Sequence, residues 1–158
     1  MVKIKLLCVG KIKDKYLEEG IKEYLKRLSK YATFIIEEVA DEKIPENSNE
    51  SLDNIVKEKE SNKLLSKIEG YSVLLDVRGE EMGSCEFASH LINTIDSGKS
   101  KITFIICGSL GPSENLRKSV NIRISLSRLT FTHQMTRLII LEQIYRAFKI
   151  NNNETYHK

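Results

Sequence analysis

KITFIIC, residues 101–107, is apolar almost without interruption: Ile102, Phe104, Ile105, Ile106 and Cys107 fall on both parities of a two-residue repeat. A strand sends alternate side chains to opposite faces, so this one has to be covered on both. YSVLLDV, residues 71–77, reads the same way. The two are expected at the centre of a sheet with helices above and below. Further β-branched runs lie at residues 3–9, 33–39 and, more weakly, 121–126, with helical spacing between them. Strands that alternate with helices imply an α/β fold with a mostly parallel sheet flanked by helices.

Working outward, Tyr16, Leu17, Ile21, Tyr24, Leu25 and Leu28 form an apolar stripe with Lys and Glu around it, which predicts a structural amphipathic helix. Residues 41–54, DEKIPENSNESLDN, are polar, contain Pro45 and lack apolar periodicity. They read as a solvated connector before a charged helix reaching Ile68. Each central strand is expected to end in a turn, Arg78-Gly79-Glu80 after one and Gly108-Ser109-Leu110-Gly111-Pro112 after the other. Open α/β sheets bind ligands outside the carboxyl ends of their strands, where glycine lets a ligand approach the backbone. The second turn is neither a dinucleotide fingerprint nor a phosphate loop, because it has no GxGxxG and no Gly-Lys-Ser/Thr.

SRLTFTHQMTRLIILEQIYRAF, residues 127–148, mixes a continuous apolar run with His133, Gln134, Arg137, Glu142, Gln143 and Arg146. On a helical wheel His133, Arg137, Ile140, Leu141, Ile144 and Phe148 share one side, while Met135, Ile139, Glu142 and Arg146 share the other. Both sides are partly apolar. One suits the chain's own sheet, and the other calls for a second surface, most economically a twofold partner. Thr132 and His133 are placed to start this helix, and Glu142 can pair with Arg146 at i, i+4. The tail after Asn152 is expected to be mobile, as termini usually are. Its Tyr156, His157 and Lys158 nonetheless combine a stacking ring, a proton carrier and a phosphate-binding cation.

The 158 residues suit one domain covering 1–158. Hydrophobic residues make up 41% and charged residues 30%, with no tryptophan, a globular composition. No apolar run approaches the roughly 18 residues of a spanning helix, and the first strand is too short an apolar stretch for a signal peptide. A cytoplasmic protein without membrane contact is therefore expected. Cys8, Cys85 and Cys107 are odd in number and lack CxxC spacing, which speaks against disulfides and structural zinc. The histidines at 90, 133 and 157 are scattered, so no metal site is expected. Twenty-five basic against 22 acidic residues give a net charge of +3, too small for a protein that coats naked nucleic acid.

LLCVGKIKDKY at 6–16, EEVADEKIPEN at 37–47, LLDVRGE at 74–80, ICGSLG at 106–111, SLSRLTFTHQMTRLIILEQIYRAFKI at 125–150 and the closing YHK resemble, in order and over nearly the whole chain, the ribosomal RNA large subunit methyltransferase H family. That family is part of the SPOUT, or α/β-knot, methyltransferases. The resemblance implies a SPOUT domain whose C-terminal part forms a deep trefoil knot, acting as a homodimer. It implies methyl transfer from S-adenosylmethionine to N3 of a pseudouridine in 23S rRNA, with the assembled 70S ribosome as substrate. It places the cofactor at Leu75, Cys107, Gly108, Leu126, Ser127, Arg128, Leu129, Thr130 and Phe131. It places Tyr156 and His157 near the transferred methyl group. Loss of the N3 proton would leave an anion at the flanking carbonyls, and His157 or Arg137 is expected to stabilise that charge.

The chain departs from the family pattern at Cys107, where glycine is common, at Thr132, where a proline precedes the histidine, and at Asn152-Asn153, where an Arg-Gly pair often leads into the tail. The departures at Cys107 and Asn152-Asn153 leave open a non-enzymatic ribosome-associated factor of the same fold; a SPOUT methyltransferase acting on tRNA is a second alternative.

Overall fold

The computed structural model describes residues 1–158. Five strands, β1 (Lys3–Val9), β2 (Thr33–Val39), β3 (Tyr71–Glu81), β4 (Lys101–Ile106) and β5 (Ile122–Ser125), alternate with five helices, α1 (Lys15–Leu28), α2 (Glu50–Leu65), α3 (Ser84–Asp96), α4 (Glu114–Ser119) and α5 (His133–Asn151). The sheet order is β2-β1-β4-β3-β5, and every pair is parallel.

The two-residue period divides the central strands between two cores. Ile4, Leu6 and Cys8 of β1, Val73 of β3 and Ile102, Phe104 and Ile106 of β4 face the larger one, which Ile21 and Leu28 of α1, Phe87 and Leu91 of α3 and Ile140, Leu141 and Ile144 of α5 close. Leu7 and Val9, Leu74 and Ile105 face the smaller one, with Leu64 of α2 and Leu116 of α4. Burying one such Leu or Ile side chain contributes about 1.5–3 kcal/mol relative to leaving it exposed, so the near-continuous apolar character of β4 is the direct cause of its central place.

The third strand departs from its sequence reading. Leu75 and Glu80 both stand opposite Ile124, so β3 continues past a bulge formed by residues 76–79. Arg78-Gly79-Glu80 is therefore part of a strand rather than a turn after one. Gly79 is required there, since a Cβ at this position would lie 2.7 Å from the carbonyl carbon of Arg123.

Helix α2 begins at Glu50, inside the stretch read as connector, because Asn49 caps it by accepting from the Leu52 N–H at 2.9 Å. Tyr16 is 65% exposed. At about 100° per residue it lies a quarter turn or more from the stripe that Leu17 begins. Helix α5 starts as its sequence predicts: Thr132 caps it, its Oγ1 accepting from the Met135 N–H at 3.2 Å. No helix is long and apolar enough to cross a membrane.

Candidate functional site

The carboxyl ends of β3 and β4, the loop after β5 and the first turn of α5 enclose a cleft of about 720 Å³, within the range of small-molecule sites. Its apolar wall comprises Leu75, Ile106, Leu126, Leu129 and Phe131, and its hydroxyl groups come from Ser127, Thr130 and Thr136. Gly108 to Pro112 form one rim. Gly111, at φ +83, donates its N–H to the Gly108 carbonyl at 3.0 Å, which closes the turn.

Helix α2 braces that rim. Glu60 lies so close that a Cβ at residue 108 would sit 2.9 Å from its Oε1. The neighbouring Ser61 Oγ accepts from the Ser113 N–H at 3.0 Å. On the opposite side the loop 125–129 holds itself together, as Ser125 Oγ donates to the Ser127 carbonyl at 2.9 Å and Ser127 Oγ accepts from the Leu129 N–H at 3.0 Å. Gln134 Oε1, at the start of α5, accepts from the Lys13 N–H at 3.0 Å and ties the loop after β1 to the same edge.

Three titratable groups face the cleft in fixed states. Asp76, with a side chain 1% exposed, accepts from Arg117 Nε at 2.8 Å and from the Arg78 N–H at 3.1 Å. Burial, the largest single influence, would raise its carboxyl, but Arg117, the Arg78 N–H and the Arg123 charge together outweigh it and hold the group below the usual carboxylate range. Asp76 is thus an ionised, paired anchor and not a free base. Burial pushes the Cys107 thiol up to about 12, so it stays protonated and unreactive. His133 is held below its ordinary value by burial and then by the Arg137 charge, which keeps the imidazole neutral at pH 7. No group of three or more His, Cys, Asp or Glu side chains is placed to hold a metal ion.

Of the residues that the family resemblance assigns to the cofactor, Leu75, Cys107, Gly108, Leu126, Ser127, Leu129, Thr130 and Phe131 line this cleft. Arg128 does not line it and is exposed. Arg137 departs further from its expected role. It is 1% exposed, and its Nη1 donates to Glu38 Oε2 at 2.6 Å and its Nη2 to the Gly10 carbonyl at 2.8 Å. Its guanidinium clamps the ends of β1 and β2 from within, so it has no free fork to offer a substrate.

The tail is bound rather than loose. Asn153 takes φ 54 and turns the chain back along α5. Glu154 then accepts from Tyr31 Oη at 2.9 Å and from Lys149 Nζ at 2.6 Å. The Tyr156 ring meets Tyr145 edge-on at 4.9 Å, and its hydroxyl donates to Glu142 Oε1 at 3.2 Å. Arg146 pairs with Glu142, lies 4.8 Å over the Tyr156 ring and donates from Nη1 to His157 Nδ1 at 3.1 Å. Burial and the Tyr24 hydroxyl push the Tyr156 phenol up, so it remains a donor. Between His133 at the cleft and Arg146 at the tail, α5 rises about 20 Å. One chain therefore does not bring Tyr156 and His157 to its own cleft.

Asp76, Arg117 and Glu60 escaped the sequence reading. Each belongs to a different element, and no short motif joins them.

The family model described as "Predicted SPOUT methyltransferase" matches residues 2–157. The chain is 49% identical over 160 residues to the ribosomal RNA large subunit methyltransferase H of Desulforamulus reducens, covering 100% of both chains. It is 48% identical to the protein of that name from Ruminiclostridium cellulolyticum, covering 99% of this chain and 100% of the relative. Among solved structures, a probable methylase family protein from Haemophilus influenzae aligns with a TM-score of 0.54 at 13% identity, covering 99% of this chain and 70% of that one. A tRNA (m1G37) methyltransferase from Aquifex aeolicus aligns at 0.52 and 13%, covering 92% and 69%. At such low identity these two likenesses concern the fold alone.

Proposed function

We propose that this chain, which belongs to the SPOUT methyltransferases and within them to the ribosomal RNA large subunit methyltransferase H family, methylates ribosomal RNA. The finer reading is transfer from S-adenosylmethionine to N3 of a pseudouridine of 23S rRNA, with the assembled ribosome as substrate and a homodimer as the working form. The observation that carries it is the cleft at the carboxyl edge of the sheet, in a chain that matches relatives of that name from end to end.

The residues present fit the cofactor. Leu75, Leu126, Leu129 and Phe131 offer an apolar surface to an adenine ring, and Ser127, Thr130 and the backbone of residues 107–111 offer polar partners to a ribose and an amino-acid moiety. Gly111, with open space where a side chain would stand, leaves that backbone uncovered. When bound, S-adenosylmethionine supplies a methyl group activated by a sulfonium centre.

The protein's share is alignment, exclusion of water and management of the N3 proton. N3 of a uracil ring is a poor nucleophile until its proton leaves, and negative charge then spreads to the flanking carbonyls. His157 stabilises that charge, and Tyr156, kept protonated, orients the base by stacking or hydrogen bonding. Both arrive from the second copy of the dimer, since a chain's own tail is tied to the far end of α5.

His157→Ala tests these roles. Methyl transfer should slow by about 100-fold, while calorimetry finds cofactor affinity within about twofold of wild type. Parallel loss of rate and affinity would overturn the role of His157.

A further inference from the structure

The stretch KIKDKY, residues 11–16, forms one lip of the cleft, and its side chains are arranged against ordinary local preference. Ile12 packs on the larger core. That leaves Lys11, Lys13 and Lys15 exposed around it. Asp14, in their midst, lines the cleft, and the Lys13 N–H is bonded to Gln134 at the cleft edge. The charge of Lys13 reaches as far as His133 in the cleft wall.

None of these three lysines makes an ion pair, so three free ammonium groups stand within five residues of one another. Asp14 makes no side-chain capping bond to α1, and Lys15 opens that helix where its dipole disfavours a cation. Tyr16, at 65% exposure, presents a ring that no core contact explains. Where local rules are broken together without a packing gain, function is the usual reason.

Three unpaired cations beside an exposed aromatic ring match the chemistry of a single-stranded nucleic acid, in which phosphates carry the charge and unpaired bases stack. We infer that residues 11–16 are an RNA-docking lip, with Lys11, Lys13 and Lys15 neutralising phosphates next to the target nucleotide and Tyr16 stacking on a neighbouring base. This rests on the reading of the chain as an rRNA methyltransferase. It adds where the strand enters the cleft and which side chains hold it. An acidic protein surface would use the cations but would leave the ring idle.

The test measures binding to assembled ribosomes over a series of salt concentrations, using wild type, K11Q/K13Q/K15Q, Y16A and a control, K43Q/K59Q/K99Q, built from exposed lysines outside the lip that also lack ion pairs. The lip triple variant should lower the slope of log affinity against log salt by about 2–3, and weaken binding about 10- to 100-fold near 0.1 M salt. Y16A should weaken binding at least about fivefold with the slope unchanged. Cofactor affinity and melting temperature should stay at wild-type values in both. An unchanged slope in the lip triple variant, an equal loss in the control, or full affinity in Y16A would overturn the lip. Wild type that binds through the lip yet transfers no methyl group would keep the lip and remove the enzymatic reading; wild type that does not bind ribosomes would remove both.

Discussion

His133 stands where the first turn of α5 meets the cleft, and its surroundings make an acid-side prediction. Burial, Arg137 and Lys13 hold the imidazole below 6.5, and Asp41 offsets them only in part. In the unfolded chain the same side chain takes a proton near 6.5. Between that value and the lower folded one, the unfolded state therefore binds more protons. Stability should be lost as pH falls from 6.5 through the folded value. His133→Gln keeps a polar side chain and removes the titration, so its denaturant midpoint should vary less between about pH 7 and pH 5 than that of wild type. At about pH 8 the two should agree within about 1 kcal/mol. Parallel pH profiles would show that His133 is not held neutral by its site. Arg137, one turn along the same helix, gives the contrasting case. Its type suggested a charge-stabilising role, whereas its burial against Glu38 and Gly10 makes it an internal clamp.

The bulge in β3 is the element on which the cleft depends. Residues 76–79 carry Asp76 and Val77 to the cleft wall, and they fit beside β5 only because Gly79 has no side chain. Gly79→Ala should cost about 2 kcal/mol in chemical denaturation and weaken cofactor binding in the same preparation. Gly83→Ala, where a Cβ would meet nothing nearer than 3.5 Å, should cost less than about 1 kcal/mol. Equal effects at the two positions would contradict the close approach of β5. This bulge also marks a limit of the sequence. Strands β1 and β4 are legible because their side chains are buried on both faces and the apolar pattern records it, whereas β2, with only Val39 buried, is legible from its β-branched run. The end of β3 is Arg-Gly-Glu-Glu, and only pairing with β5, more than 40 positions later, makes it a strand. Helix α4 has a single buried residue, Leu116, too little for a period to form. The start of α2 depends on the Asn49 cap, one polar residue among many. At the site, the loop before Pro112 is marked by its place at the end of a central strand, and the loop after β5 by its resemblance to a family. The Asp76–Arg117 pair was invisible because its partners are 41 positions apart.

At the scale of the molecule, the separation of cleft and tail along α5 decides how many chains make a site. If Tyr156 and His157 act at the partner's cleft, a chain with a blocked cleft and a chain with a defective tail should complement each other. Mixing Gly108→Trp and His157→Ala chains under exchange should restore about a quarter of wild-type transfer, since half the dimers are then mixed and each has one intact site. No recovery from two inactive parents would place the whole site in one chain. The net charge of +3 fits this scale too. So small an excess gives little hold on naked RNA, and a few unpaired lysines at the cleft lip suit a large, preformed partner better. Methyl transfer to rRNA is checked by offering labelled S-adenosylmethionine and this protein to intact ribosomes from cells lacking its gene, and locating the label by mass spectrometry. Label is expected at N3 of one pseudouridine in the large-subunit rRNA; ribosomes left unlabelled by dimeric, cofactor-bound protein would show that the chain does not carry this activity.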